Sequence, residues 1–530
     1  MWQIVPHPLG IEVSALLALI PLTWLLLGLG VWKLAAHKTC FVALILSAVL
    51  ALFVWQMPGN LVFLGIADGV VLALWPIILV IFSAIFTYNM TVQTGAMDKI
   101  KGLMASFSQD RRVQALLIAW GFGAFLESAA GFGTAVAIPA AILISLGFPP
   151  FFASVVCLIA NTVPVAFGGV GLPVITLAKV ADVDVLRLTL DCAIQLTPFI
   201  LVIPLALIWL ITKKTSGFRG VFLMSVAAGA FFAVPQLFIA AYIGPELTSI
   251  VGSIMSMLAI VVINKISPPK KVWRFPDEAA AGLESEATFQ TNLKEQLIAW
   301  SPYFFLLIFI LGTNEVIFPA LNEALRNLST TVHIYSGPGG NPISIEWILT
   351  PGTLILLGSL LSARLQKASW QDLRDVTGKT LKQLQKTSLT VITIVAMAKI
   401  MSYSGMISDI AYALAMTTGG AYPFIAPIIG TLGTFVTGSD TNANVLFGSL
   451  QKQTALQIGA DPTWITASNT SGATAGKMIS PQSIAIATSA TNQIGIEGDI
   501  LRSTVGYCLI YTVMLGFWVF FVNYMRFFLG

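Results

Sequence analysis

Three charged residues stand where charge is costly. Glu127 lies in the apolar run GFGAFLESAAGFGTAVAIPAAI (Gly121–Ile142), Asp440 in TFVTGSDTNANVLFGSLQ (Thr434–Gln451), and Lys477 in NTSGATAGKMISP (Asn469–Pro481). A charge near mid-bilayer costs about 2.5–3.5 kcal/mol on the mild insertion scale. Such residues either serve a function or are locked in a structural ion pair. Carboxyl groups out of water can exchange a proton near neutral pH, which makes Glu127 and Asp440 candidates for carrying one. Lys477 can hold an anion, and half-helix N-termini add free N–H groups and partial positive charge. Ser128, Asn161, Thr162, Ser439, Thr441, Asn442, Asn444, Asn469, Thr470, Ser480 and Gln482 crowd the same stretches. Unpaired in lipid, each would cost several kcal/mol on transfer scales, on the order of 2–7. They therefore line a cavity, satisfy broken backbone or bond to one another. Gly131, Gly133, Gly168, Gly438 and Gly476 are candidate hinges, with close helix packing as the other use of a glycine here. Lys399, in VITIVAMAKIMSYSG, either joins such a site or snorkels to an interface.

These residues need elements that cross lipid. The chain is 56% hydrophobic and 10% charged, against about 25% charged in a soluble domain. A surface that apolar requires a bilayer as solvent. The composition predicts an all-α polytopic membrane protein of about 12–14 transmembrane helices, some of them discontinuous or hairpins. The run Ile11–Val31 is long enough to remain as a span, and no cleaved leader is expected. The four cysteines are scattered through apolar runs without metal spacing, and the three histidines lie in loops or termini. No metal, no cofactor and no nucleic-acid partner is called for. GATAGKM at Gly472 has the wrong glycine spacing for a phosphate loop, and GFGTAV at Gly131 lacks the third glycine of a dinucleotide fingerprint. No HExxH or GxSxG motif occurs, so an enzyme is not expected.

Two segments repeat. Asn161, Thr162, Gly168 and Pro173 correspond to Asn469, Thr470, Gly476 and Pro481, each pair 308 residues apart. GAF at Gly123 and GTF at Gly433 stand 310 apart. The stretch 91–112 carries Lys99, Lys101, Arg111 and Arg112, whereas its counterpart 401–422 has no Lys or Arg. Basic loops stay inside, so the loop that is cytoplasmic in one half is external in the other. That pattern predicts two inverted-topology repeats, an architecture that supports alternating access around a site at the helix breaks. The expected organisation is N-terminal helices over 1–64, a first repeat over 65–212, intervening helices over 213–374 and a second repeat over 375–530. The stretch 266–296 reads as a cytoplasmic linker with a short surface helix, and the N-terminus is expected outside.

The runs FGAFLESAAGFGTAVAI, NTVPVAFGGVGLP, GTFVTGSDTNAN and NTSGATAGKMISPQSIAIA resemble signature stretches of the bacterial lactate permease family. The resemblance extends over nearly the whole chain. It implies a bacterial inner-membrane symporter that takes up L-lactate with a proton, and D-lactate and glycolate as related small 2-hydroxy monocarboxylates. Glu127, Asp440 and Lys477 fall on the matching motifs. Ser128 stands where the family pattern has Gly, and Thr134-Ala135 where it has Ala-Pro, which bears on substrate preference. A permease for another small organic anion, an anion channel and a sensor that binds without translocating are the alternatives. Oligomeric state is not legible.

Overall fold

The structure is a computed structural model that describes residues 2–32, 34–131, 133–275, 292–315, 317–340, 342–493 and 496–529. Among these residues ten helices are long and apolar enough to cross a membrane. The bent pair Leu293–Ala299 and Ser301–Gly312, which meet at 58°, would make an eleventh span. That is fewer than the 12–14 helices expected, and the reason is local. The apolar runs around Glu127 and Asn161 fold as short helices, Gly123–Ala129, Thr134–Ser145 and Pro150–Ala160. Twelve helical residues reach about 18 Å, well short of a hydrocarbon core of about 30 Å.

The helix order repeats. Each half begins with a long helical segment, Gly59–Gln93 or Trp370–Ser404. A left-handed glycine ends each, Gly95 at φ 70° and Gly405 at φ 98°. Short helices follow, Ala96–Ser106 in one half and Met406–Thr418 in the other. Next comes a helical hairpin. Thr134–Ser145 folds back on Ala115–Phe122 and Gly123–Ala129, and Asp440–Ile458 folds back on Tyr422–Thr437. The GAF and GTF glycines close these hairpins. A Cβ on Gly123 would stand 3.4 Å from the Ala135 carbonyl oxygen, and one on Gly433 would stand 2.9 Å from the Ala443 Cβ.

A broken helix then follows each hairpin. Pro150–Ala160 stops at Asn161 and helix resumes near Pro173, after Gly169, Val170 and Gly171 take positive φ of 52°, 61° and 76°. In the other half Pro462–Lys477 stops and Pro481–Ala490 begins. Proline suits a restart because it lacks an N–H and its φ is already helical. Long helices, Val185–Thr212 and Glu497–Leu529, close the halves.

Packing between the halves is reciprocal. Thr134–Ser145 lies against Pro481–Ala490, and Gly168–Ala181 lies against Asp440–Ile458. Likewise Pro150–Ala160 touches Glu497–Leu529, and Val185–Thr212 touches Pro462–Lys477. The second hairpin and broken helix also interlock. A Cβ on Gly472 would collide with the Pro427 carbonyl, and one on Gly476 with the Thr431 carbonyl. GATAG is thus a small-xxx-small packing stripe that lets two helix backbones touch.

The all-α expectation holds for the membrane body and needs one correction outside it. In the 319–346 segment, after the helix Pro319–Arg326, Ser329–Val332 pairs antiparallel with Ile343–Glu346. Of the expected linker, 276–291 lies outside the described residues, as does any surface helix there. Its first part is docked: Asp110 accepts from the Trp273 N–H at 3.0 Å and from Arg112 Nη2 at 2.7 Å.

Candidate site at the two helix breaks

Glu127 sits in the last turn of Gly123–Ala129, 4% exposed. The chain leaves helical geometry just after it, with Gly131 at φ 65° and Gly133 at φ 85°. Asn161, at the end of the broken helix, donates from Nδ2 to Glu127 Oε2 at 3.1 Å. The opposite face of the carboxylate lies on Gly168, where a Cβ would fall 2.9 Å from Oε1. Gly131 in turn approaches the Gly169 backbone. The two breaks of the first half therefore meet at Glu127. Among the described residues Asn161 Oδ1 is buried and has no partner.

In the second half Asp440 opens the helix Asp440–Ile458, 3% exposed, with Ser439 as its N-cap. Thr470 Oγ1 lies 2.9 Å from both carboxylate oxygens and donates to them. Asn444 Nδ2 donates to Thr470 Oγ1 at 3.0 Å and to the Pro173 carbonyl of the first half at 3.1 Å. Asn469 donates to Asn444 Oδ1 at 2.9 Å, Gln451 to Asn469 Oδ1 at 3.1 Å, and Tyr422 to Gln451 Oε1 at 2.8 Å. A continuous buried network thus backs Asp440. Such a network fixes geometry only when its members are satisfied.

Lys477 is the last residue of Pro462–Lys477, 9% exposed, where the helix dipole favours a cation. Its Nζ donates to the Gly438 carbonyl at 2.8 Å, at the other break of the same half. Among the described residues it makes no ion pair within 4 Å. The two halves join beside these groups: Asn444, one turn on from Asp440, donates to the Pro173 carbonyl, and Gly168–Ala181 packs on Asp440–Ile458.

Other sequence candidates are placed differently. Ser128 Oγ donates to the Ala124 carbonyl at 2.7 Å and Thr162 Oγ1 to Ile159 at 2.8 Å, both within their own turns. Ser480 accepts from the Ser483 N–H at 3.2 Å and donates to Ser483 Oγ at 2.8 Å, so it caps a restarted helix. Gln482 is exposed beside Gly438. Gly133 abuts Ile486 of the second half, and Gly476 packs helices as described. Thr441 is buried and Asn442 half-buried on the first turn after Ser439.

Sequence reasoning passed over Asp68. This residue is fully buried in Gly59–Leu72 and pairs with Lys399 at 3.1 Å. Tyr403 Oη accepts from Lys399 Nζ at 3.1 Å and donates to Asp68 Oδ2 at 2.8 Å. Lys399 therefore does not snorkel; it is held by a carboxylate. The signal was present: a single acid in the apolar run GIADGVV, subject to the same cost argument as Glu127.

The chain matches the L-lactate permease family over residues 14–526. It belongs to that family. An L-lactate permease of Streptococcus iniae is 42% identical over 86% of this chain and 93% of its own. One from Bacillus subtilis is 36% identical over 96% of each chain. The glycolate permease GlcA of Escherichia coli is 35% identical over 96% of this chain and 95% of its own. The family makes this chain a multi-pass membrane transporter and not an enzyme. Among solved structures, Neisseria gonorrhoeae MtrF, described as one of a class of antimetabolite efflux pumps, superposes with a TM-score of 0.50. That match covers 93% of this chain and 96% of the other at 11% identity, a likeness of fold alone.

Proposed function

We propose that this permease takes up L-lactate, and related small 2-hydroxy monocarboxylates such as D-lactate and glycolate, together with a proton. The membrane is the bacterial plasma membrane, with the N-terminus outside. The observation that carries the reading is a set of three buried charged residues at the helix breaks: Glu127 against Gly168, Asp440 held by Thr470, and Lys477 bound to the Gly438 carbonyl. A monocarboxylate and a proton entering such a site together leave its net charge unchanged, so neither crosses lipid as an added ion. Lys477 holds the carboxylate, with hydroxyls and free backbone N–H groups around it. Glu127 or Asp440 takes the proton. The relatives named L-lactate permease and the one named glycolate permease favour small 2-hydroxy acids as cargo.

Reciprocal packing of the halves and the reversal of loop charge favour an inverted repeat. In that arrangement each half supplies one hairpin and one broken helix to a shared mid-membrane site. The test is uptake of labelled L-lactate into proteoliposomes under an inward proton gradient, with protein-free vesicles subtracted. Accumulation above the external concentration is expected. Purely downhill flux, insensitive to the pH gradient, would favour a channel; saturable binding without flux would favour a sensor.

A further inference from the structure

Lys399 borders a cavity as well as protein. With Ser402 and Tyr403 it lines a cavity of about 930 Å³. The facing walls include Ile175 on Gly168–Ala181 and Ser449 on Asp440–Ile458, the two helices that run from the breaks beside Glu127 and Asp440. The cavity therefore lies between the Lys399 helix and the elements that carry the candidate site, but Glu127, Asp440 and Lys477 do not line it.

The cluster around Lys399 is built rigidly. Gly69 lets the Asp68 helix touch the Ala396 backbone, which sets Asp68 against Lys399. Tyr335, from the segment between the two strands, stacks on Tyr403 at 3.8 Å and an interplanar angle of 2°. An ammonium has three donors. Lys399 directs Nζ to Tyr403 and Asp68, and its side chain keeps 19% exposure, which leaves a donor for the cavity. Two other cations of this cavity are paired, Lys452 with Asp182 at 3.8 Å and Arg326 with Glu315 at 2.7 Å, while Lys179 lines it from the exposed end of Gly168–Ala181.

We propose that Lys399, oriented by Asp68 and Tyr403, is a docking subsite for a small monocarboxylate anion, separate from the Lys477 site. The anion meets this ammonium in the cavity before it reaches the breaks. Taking a monocarboxylate as the ligand rests on the functional reading above. Asp68 keeps the ammonium neutralised when the subsite is empty and limits how tightly an anion is held, as a relay point on a transport path requires.

The test pairs transport with binding. Lys399→Gln should raise the KM for L-lactate about tenfold with Vmax changed less than about twofold, and Lys399→Arg should restore KM. Asp68→Asn should lower KM, because the freed ammonium binds the anion more tightly. In the binding arm, Lys477→Ala protein in detergent should keep weak binding of L-lactate and acetate, which Lys399→Gln then removes. An unchanged KM in Lys399→Gln, or the same residual binding with and without Lys399, overturns the subsite. So does a loss of thermal stability in both Lys399→Gln and Asp68→Asn without change in affinity, which is the mark of a structural ion pair. If wild-type protein transports no lactate, the functional reading fails, while the acetate binding arm still decides the role of Lys399.

Discussion

At the residue scale, the centre of the account is an imbalance of charge. Two acids, Glu127 and Asp440, and one base, Lys477, stand at the helix breaks, and all three are out of bulk water. Among the described residues Lys477 donates to a carbonyl and pairs with no carboxylate within 4 Å. An arriving carboxylate would meet an ammonium that no carboxylate already occupies. Lys477→Ala should therefore weaken L-lactate binding by tenfold or more, roughly 1.4 kcal/mol, as read by titration of the purified protein. Glu127→Gln and Asp440→Asn separate the proton from the substrate. The variant lacking the carrier should still exchange lactate across the membrane but lose accumulation driven by a proton gradient. If both keep accumulation, neither residue carries the proton. The sequence made all three legible because charge in apolar runs is rare for a stated energetic reason. It also offered Ser128 and Thr162, which turn out to bond to carbonyls of the turn just before them. Hydroxyls in a helix have the preceding carbonyls within reach, and sequence cannot say which partner wins.

At the element scale, the breaks depend on glycines used in two ways. Gly131, Gly133 and Gly438 take positive φ and let the chain turn beside a charge. Gly472 and Gly476 remain helical and bring Pro462–Lys477 onto the backbone of Tyr422–Thr437. This second use positions Lys477, because the helix that carries it is seated by the stripe four residues apart. Gly472→Ala should then overpack the interface, cost about 1–3 kcal/mol and lower the melting temperature. Gly498→Ala, where a Cβ would meet nothing within 4 Å, is the matched control and should be neutral. Equal melting temperatures would show that the stripe is not under close contact. The spacing of GATAG was visible in the sequence, but its partner was not. A small-xxx-small stripe is recognised only when the facing helix is known. Hairpins were expected, but which runs turn was hidden for a similar reason: a long apolar run has the same composition whether it crosses the bilayer or turns within it, and only packing against Gly123 or Gly433 distinguishes them.

At the scale of the whole molecule, the repeated order of helix, left-handed glycine, short helix, hairpin and broken helix places one break from each half beside the other. Asn161 and Asn469, aligned by sequence, both donate amide hydrogens in these networks, yet one serves Glu127 and the other Asn444. The halves share a frame and divide the chemistry. The repeated helix order was announced by four spaced residues; the reversed orientation is proposed from loop charge, since orientation depends on basic residues and not on contacts. Tyr403 and Asp68, which close the Lys399 cluster, stand 335 residues apart in sequence, and no spacing rule brings them together. The central claim is that two halves cross the bilayer in opposite senses so that their breaks meet at one site. Labelling of single cysteines on intact cells with a membrane-impermeant maleimide tests it most directly, since the four native cysteines are free but buried. The account predicts that Gln109→Cys and Ser216→Cys are protected and that Gly420→Cys, at the position matching the first half's basic loop, is labelled from outside. Labelling of Gln109→Cys and Gly420→Cys from the same side would contradict it.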